Sequence, residues 1–406
     1  MRQHCPPPCR SRNEKSILVR VLTTVLLIVT VSVFAGGTDE QDVRESDEPT
    51  TIEPIPRDEL PAEFLDQSAP GGAGSQFTTD FSRATVSFAD IISGGPPKDG
   101  IPSIDEPAFD SISDAEDWID TDEAVLVYSH NNETRFYPLQ ILMWHEIVND
   151  TVGGRPVAIT YCPLCNTGVG FDRRFGGTVL DFGTTGRLRF SNLIMYDRQT
   201  ETWWQQASGE AIAGRWAGHR LDRIPVQMAP FGEAADQWPE ARVLNRDTGY
   251  SRSYGRNPYV GYDSSERPFL FRGPEINGEF RLLDRAILIE HDGDEAVIAY
   301  PVLAEERLRE VTLGGERIYV MWHPGTASAL SADTVADGRD VGSANAFFAR
   351  TVDGETVDLY VDRDGAIRDR HDTETWNTLG FSDGDRPRQL QPALAVQHFW
   401  FSAQSF

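Results

Sequence analysis

Cys162 and Cys165 stand in Tyr161-Cys-Pro-Leu-Cys-Asn-Thr167, and His145 precedes them in Trp144-His-Glu-Ile-Val-Asn-Asp150. Two sulfurs separated by two residues either close a small redox disulfide or grip one soft metal ion, and a nearby imidazole serves both uses. In the metal reading, thiolate and imidazole select copper or zinc, copper slightly ahead, over magnesium or calcium. His145, Cys162 and Cys165 are then the ligands, and Glu146 orients the site or acts as its acid or base. A fourth ligand would come from His130, His219, His291, His323, His371 or His398. In the redox reading a Cys162 thiolate attacks disulfides. However, Asn166-Thr-Gly-Val-Gly170 reads as a turn back into a strand, not as the helix N-terminus that usually lowers a thiol pKa. A third reading is structural: a disulfide or reduced pair pins the turn after Tyr161, and His145 is satisfied by backbone beside Trp144.

These residues must be held by a strand-rich scaffold. Apolar and aromatic runs at 125–128, 157–161 and 317–322 are separated by Gly, Asp-Gly and Pro signals, and helical patterns are few, at 114–119, 138–148 and 231–238. Three blocks recur in the same order. Phe136-Tyr-Pro-Leu139 is matched by Ala299-Tyr-Pro-Val302, Val152-Gly-Gly-Arg155 by Leu313-Gly-Gly-Glu316, and Asp197-Arg-Gln-Thr-Glu-Thr-Trp203 by Asp369-Arg-His-Asp-Thr-Glu-Thr-Trp376. The expectation is an α+β, β-rich body at 77–406, made of two sequence-related halves at about 124–224 and 295–390 packed into one extracytoplasmic unit. Where the first half has the cysteine pair, the second has Trp322-His323-Pro324, so the first half carries the chemistry. The same alignment makes His323 the favoured fourth ligand, facing the pair across a pseudo-dyad.

Composition sets the environment. Arg2, Arg10, Arg12, Lys15 and Arg20 precede a mostly apolar run at 21–35, which reads as a cleaved signal or an uncleaved membrane anchor at 1–35. The protein is then secreted or held on the outer face of the cytoplasmic membrane, touching the membrane only through this segment. Cys5 and Cys9 precede the run, so the body has one cysteine pair, too few for a disulfide framework. Residues 36–76, rich in Asp, Glu, Pro, Gly and Ser, read as a disordered acidic linker. Acidic residues number 63 against 37 basic ones, a net charge of −26, and the only lysines are Lys15 and Lys98. Such a surface repels nucleic acid, and its composition is that of a chain adapted to molar salt.

Other chemistries find less support. No GxSxG elbow occurs, and no phosphate-binding loop with its lysine. Asp197, Glu201 and Glu210 read as parts of a hairpin, and the Asp-Gly pairs at 292–294, 362–365 and 383–385 as tight turns rather than calcium loops. Lys98, beside Gly94-Gly-Pro-Pro97, reads as a solvated charge on a rigid, packed loop or as a group that binds an anion or an internal carboxylate. The competing class of function is a non-catalytic envelope or surface binding protein, its cysteines a structural disulfide, which offers Trp203, Trp204 and Trp216 to a ligand or partner.

The motifs Ile92-Ser-Gly-Gly-Pro-Pro-Lys-Asp-Gly-Ile-Pro102, Trp144-His-Glu-Ile-Val-Asn-Asp150, Thr160-Tyr-Cys-Pro-Leu-Cys165 and Leu193-Ile-Met-Tyr-Asp-Arg198 with Trp204-Gln-Gln together resemble the exported prokaryotic family called domain of unknown function 3179. The likeness runs from about Asp90 to His398-Phe-Trp-Phe401. It implies export and a single integrated body, and it implies no substrate.

Overall fold

The computed structural model describes residues 52–406. The expected signal or anchor and the first part of the expected linker lie outside the described residues. Among those described, no helix is long and apolar enough to cross a membrane.

One succession of elements occurs twice along the chain. It opens with the hairpin Ala124–His130 and Glu133–Pro138, continues through the helix Leu139–His145, and closes with the hairpin Ile147–Val152 and Arg155–Cys162 followed by the strand Thr167–Asp172. The second succession is Arg285–His291, Asp294–Ala299, helix Tyr300–Glu306, Leu308–Leu313, Glu316–His323 and Ser343–Thr351. Local chemistry dictates the tight turns. Asn131 and Asn132 hold φ 47° and 61° in the first hairpin, where a left-handed pair matches the twist of the strands. Gly153 is required in the second, since a Cβ there would meet His130 O at 2.2 Å.

The largest sheet is built from distant parts of the chain. Its order is Asp294–Ala299, Arg285–His291, Ala395–Phe399, Thr167–Asp172, Arg155–Cys162, Ile147–Val152, with Arg223–Ile224 also pairing Thr167–Asp172. A single bridge, Gln397 to Gly168, joins its two sides. A second sheet runs Gln227–Pro230, Ala124–His130, Glu133–Pro138, Arg242–Leu244, Phe109–Ser111, and a third runs Leu308–Leu313, Glu316–His323, Ser343–Thr351, Leu390–Pro392. Side chains rather than a ladder link these two. Asn345 Oδ1 accepts from Met228 N at 3.0 Å, and its Nδ2 donates to Met228 O at 3.0 Å and Thr378 O at 3.1 Å. The β-rich α+β class is as expected.

Several expected boundaries shift. The helix expected over 138–148 spans only Leu139–His145: Pro138 ends a strand in extended backbone, and β-branched Ile147 and Val148 pair as a strand. At 114–119 the helix is Ile112–Ala115, started by Ser111 Oγ accepting from Asp114 N at 3.2 Å. Phe231–Gln237 lies within 231–238, while the helices Tyr300–Glu306 and Trp400–Ala403 were not expected. From Ile52 onward the acidic stretch is not a free linker. It forms three 3-10 turns, buries Leu60 and Ala73, and packs Ala73 with Phe77, Phe81 and Trp203. Its few apolar side chains suffice because they dock on a core formed elsewhere.

Candidate functional site

Strand Arg155–Cys162 runs directly into the cysteine turn. Cys165 N donates to Cys162 O at 3.2 Å, Asn166 takes φ 52°, and the strand resumes with Thr167 opposite Cys162. The motif is therefore a hairpin turn with no helix behind it, as the glycine pattern predicts. Both sulfurs point inward, with residue exposures of 1% and 0%. They are free thiols whose sulfurs lie 3.4 Å apart, and Ser191 O accepts from Cys165 at 3.1 Å and from Cys162 at 3.7 Å. Asn192 Nδ2 donates to Cys165 Sγ at 3.5 Å. Burial pushes the Cys162 thiol well above its usual pKa, and the neighbouring sulfur adds to this.

Ser191 is presented by a strained turn. Phe190 and Ser191 hold φ 50° and 64° between the strands Phe182–Arg189 and Asn192–Asp197, two adjacent left-handed residues of which neither is glycine. Such conformations cost on the order of 1–3 kcal/mol each and persist where surrounding contacts fix them. Ser191 Oγ donates to Phe269 O at 2.8 Å, and Leu270 is itself left-handed at φ 57°.

Glu146 interacts electrostatically with Cys162. It ends the helix Leu139–His145 at φ 59°; its N–H donates to Leu142 O at 2.7 Å and its carbonyl accepts from Tyr161 N at 2.8 Å. Among the described residues its carboxyl has no hydrogen-bond partner. Burial pushes its pKa far above the usual carboxyl range, and Cys162 raises it further, so it rests as the neutral acid. It lines a cavity of about 670 Å³ together with Leu164, Leu193, Arg187, Tyr259 and Phe269. The segment that roofs this cavity belongs to the long connection between Leu244 and Arg285. Tyr262 OH donates to Leu164 O at 2.7 Å, while Val260 and Phe269, 55% and 57% exposed, form an apolar mouth.

His145 is elsewhere. Its Nδ1–H donates to Pro102 O at 2.8 Å, and its Nε2 accepts from Tyr254 OH at 2.6 Å, so both nitrogens are engaged. Burial lowers its pKa, which keeps it neutral. The left-handed turn at Glu146 reverses the chain, and Glu146 rather than His145 interacts electrostatically with Cys162. Among the described residues no group of three or more His, Cys, Asp or Glu side chains is placed to hold a metal ion. His323 does not face the cysteines; it is exposed and lines a second cavity with Arg307 and Trp322. Of the other imidazoles, His398 is tied to the cysteine turn: its Nδ1 lies 2.9 Å from Thr167 Oγ1, and Phe399 N donates to Cys165 O at 2.7 Å. Burial drives its pKa down to about 3.

The remaining candidates are structural. Lys98 forms an ion pair with Glu201 and lies 4.6 Å from the centres of both the Phe77 and Tyr196 rings. Asp197 accepts from Trp204 Nε1 at 2.9 Å and is held by Thr200. Trp203, Trp204 and Trp216 are inside the core, at 0%, 0% and 4% exposure, and offer no face to a partner. Sequence reasoning missed Ser191, Arg187, Tyr254, Tyr259 and Tyr262, none of which carries a motif; Ser191-Asn192 directly before Leu193-Ile-Met-Tyr196 was the one available signal.

A β-rich α+β fold that encloses a dithiol and a neutral carboxylic acid beside a cavity defines the molecule structurally. By sequence the chain belongs to the family described as protein of unknown function (DUF3179), whose profile matches residues 98–406. No curated protein and no solved structure matches it.

Proposed function

We propose that Cys162 and Cys165 form a redox couple served by a small apolar oxidant of the quinone class bound in the cavity, with Glu146 relaying protons. The observation that carries this reading is the unpaired, buried carboxyl of Glu146, which lines the cavity and interacts electrostatically with Cys162. In the reaction two S–H bonds break, one S–S bond forms, and two electrons pass to the quinone. Glu146 gives its proton to one quinone oxygen and takes the Cys162 proton in its place; the Cys165 proton follows by the same route, yielding hydroquinone. The mainly apolar lining suits such a molecule, since few polar groups need be stripped of water.

The test incubates the reduced protein with a water-soluble benzoquinone bearing no free ring position for thiol addition. Expected are the loss of two thiols per chain, a mass lower by two hydrogens, and an equivalent of hydroquinone, with the rate reduced at least about a hundredfold in Glu146→Gln, the lower end of the usual scale for a lost proton-transfer group. Unchanged thiols would defeat the proposal.

Copper or zinc is the second reading, favoured by two sulfurs 3.4 Å apart that share the Ser191 carbonyl. Cys162 and Cys165 would hold the ion as a pair of sulfurs, and His145, the expected third ligand, joins only by giving up Tyr254. Elemental analysis of protein purified without chelators tests this: near-stoichiometric metal that disappears in the Cys162→Ser, Cys165→Ser variant supports it.

The setting belongs to the same proposal. The basic and then apolar opening of the chain supports export, with the body secreted or anchored on the outer face of the membrane. The repeated succession of elements supports two related halves, of which only the first carries the dithiol.

A further inference from the structure

Among the described residues six hairpins turn on two residues that both hold positive φ: Asn131-Asn132, Gly153-Gly154, Gly176-Gly177, Phe190-Ser191, Asp292-Gly293 and Gly314-Gly315. Glycine is the favoured second residue of such a turn, because it takes the left-handed conformation without a steric penalty. Four of the six have it. At each of those four a Cβ would meet nothing within 4 Å, so a side chain at this place of the turn stands in open space. The two exceptions are Ser191, whose carbonyl and hydroxyl are both engaged inside the protein, and Asn132. Asn132 is exposed and holds φ 61°, and among the described residues its side chain makes no hydrogen bond. Its neighbour Asn131 ties the turn to the next hairpin, donating from Nδ2 to Gly153 O at 2.9 Å. Asparagine tolerates the left-handed region better than most residues, but the fold asks nothing of the side chain at 132.

Asn132 opens the tripeptide Asn132-Glu-Thr134, in which a hydroxyl residue follows asparagine at the second place with no proline between, the acceptor signal for an N-linked sugar in secreted chains. One other such tripeptide occurs, Asn149-Asp-Thr151. There the fold forbids attachment. Asn149 is 3% exposed, its Nδ2 donates both protons, to Asp105 Oδ1 at 2.7 Å and Phe182 O at 2.9 Å, and its Oδ1 accepts from Phe182 N at 3.0 Å. At 132, by contrast, an amide nitrogen with both protons free stands at the exposed tip of a hairpin. We infer that Asn132 is the attachment site of an N-linked oligosaccharide. In the transfer, Nδ2 attacks the anomeric carbon of a sugar carried on a lipid phosphate. A C–N bond forms, the C–O bond to phosphate breaks, one amide proton goes to a base of the transferring enzyme, and the lipid leaves as its phosphate. The site rests on the export reading, because such acceptors are used in secreted chains, and it is independent of the chemistry given for the dithiol.

The test takes the full protein from its native host, digests it with trypsin and weighs the peptides 99–135 and 136–155, which separate the two tripeptides, while protease added to intact cells reports export. Peptide 99–135 should be heavier by an oligosaccharide and 136–155 should have its bare mass. The gain should be lost completely in Asn132→Gln and Thr134→Val and kept in Thr134→Ser, which preserves the acceptor signal. Asn132→Gly, which suits the turn and so keeps the fold, should also lose it. A bare 99–135 in exported protein, a gain that survives Thr134→Val, or an oligosaccharide on 136–155 instead would overturn the inference and leave export standing. A bare protein that stays inside the cell would overturn both.

Discussion

Glu146 and Arg307 end their helices in the same way. They hold φ 59° and 64°, their N–H groups donate at 2.7 Å to Leu142 O and Leu303 O, and their carbonyls accept from Tyr161 N and Trp322 N at 2.8 and 2.9 Å. Glycine or asparagine is the usual residue at such a helix end, because a side chain there is strained. Two charged residue types occupy these positions, and each side chain lines a cavity. One backbone device thus sets an acid at one cavity wall and a cation at another.

The buried acid makes stability depend on pH in a definite direction. The folded state keeps the Glu146 proton above the ordinary value of 4.5, where the unfolded chain has released it. Its contribution is therefore full below that value and is lost as pH rises through the raised folded value. Glu146→Gln removes the loss, so the variant should gain on the parent between pH 5 and pH 8, by about 1 kcal/mol or more at the upper end. Glu123, pushed up to about 7, and Asp150 slope the same way but cancel in the difference between the two proteins. Urea unfolding at both pH values measures the gain, and a difference that does not change with pH would rule out a titrating Glu146.

Closing the cysteine pair should stabilise the fold. The bond would enclose a loop of four residues, 162 to 165, for which chain entropy gives about 2 kcal/mol, reduced by any distortion of the turn. Oxidised protein should unfold at higher urea than reduced protein, and dithiothreitol should restore the lower midpoint. Cys162→Ser should show one midpoint under both conditions. An oxidised form less stable than the reduced one would mean that the turn resists the bond.

The cysteine turn was legible because its signals are local: a strand run, Pro163, and glycines returning to a strand. Glu146 was legible as a neighbour of His145, but which of the two interacts with Cys162 depends on a left-handed residue, and nothing in Glu-Ile-Val announces one. Tyr254, which takes up the second His145 nitrogen, is 109 residues away in a connection without regular pattern. Ser191 reaches the thiols through its carbonyl, a group every residue has. The helix Tyr300–Glu306 was legible and missed: Tyr300-Pro-Val302 had been matched to Tyr137-Pro-Leu139, and the helix following the first predicts one following the second. The buried Trp203 and Trp204 show the opposite error, since aromatic composition says nothing about exposure.

Asn345 offers a test of how the two smaller sheets are joined. Its side chain satisfies both backbone groups of Met228 and the carbonyl of Thr378 in a place that is 3% exposed. Asn345→Ala leaves these groups unpaired and should cost about 2–4 kcal/mol, more than the small loss in packing would suggest. Asn345→Asp keeps the acceptor and loses the donors, so it should be at least as damaging. A cost below about 0.5 kcal/mol for Asn345→Ala, the level of an ordinary surface change, would mean that the sheets are held by apolar contacts alone.

Salt should stabilise this protein, and Arg388 shows where. Its guanidinium faces Glu355, Asp369, Asp372 and Glu374, one cation among four carboxylates. Raising ionic strength from about 0.1 to 1 M shortens the screening length from about 10 to 3 Å, which weakens both its attractions and the repulsion among the acids. Exposed pairs such as Arg57 with Asp66 or Arg256 with Asp333 are worth about 0–1 kcal/mol, so their loss is small, whereas repulsion in a chain of net charge −26 is summed over the whole surface. The melting temperature should therefore rise with sodium chloride over this range. Arg388→Gln leaves the four acids without their cation, so it should destabilise more at low salt than at high salt, by about 1–3 kcal/mol in the former, the range for breaking a network of this kind. Thermal scans of parent and variant at several salt concentrations supply both numbers, and curves that stay parallel would mean that Arg388 acts through packing on Trp376 rather than through charge.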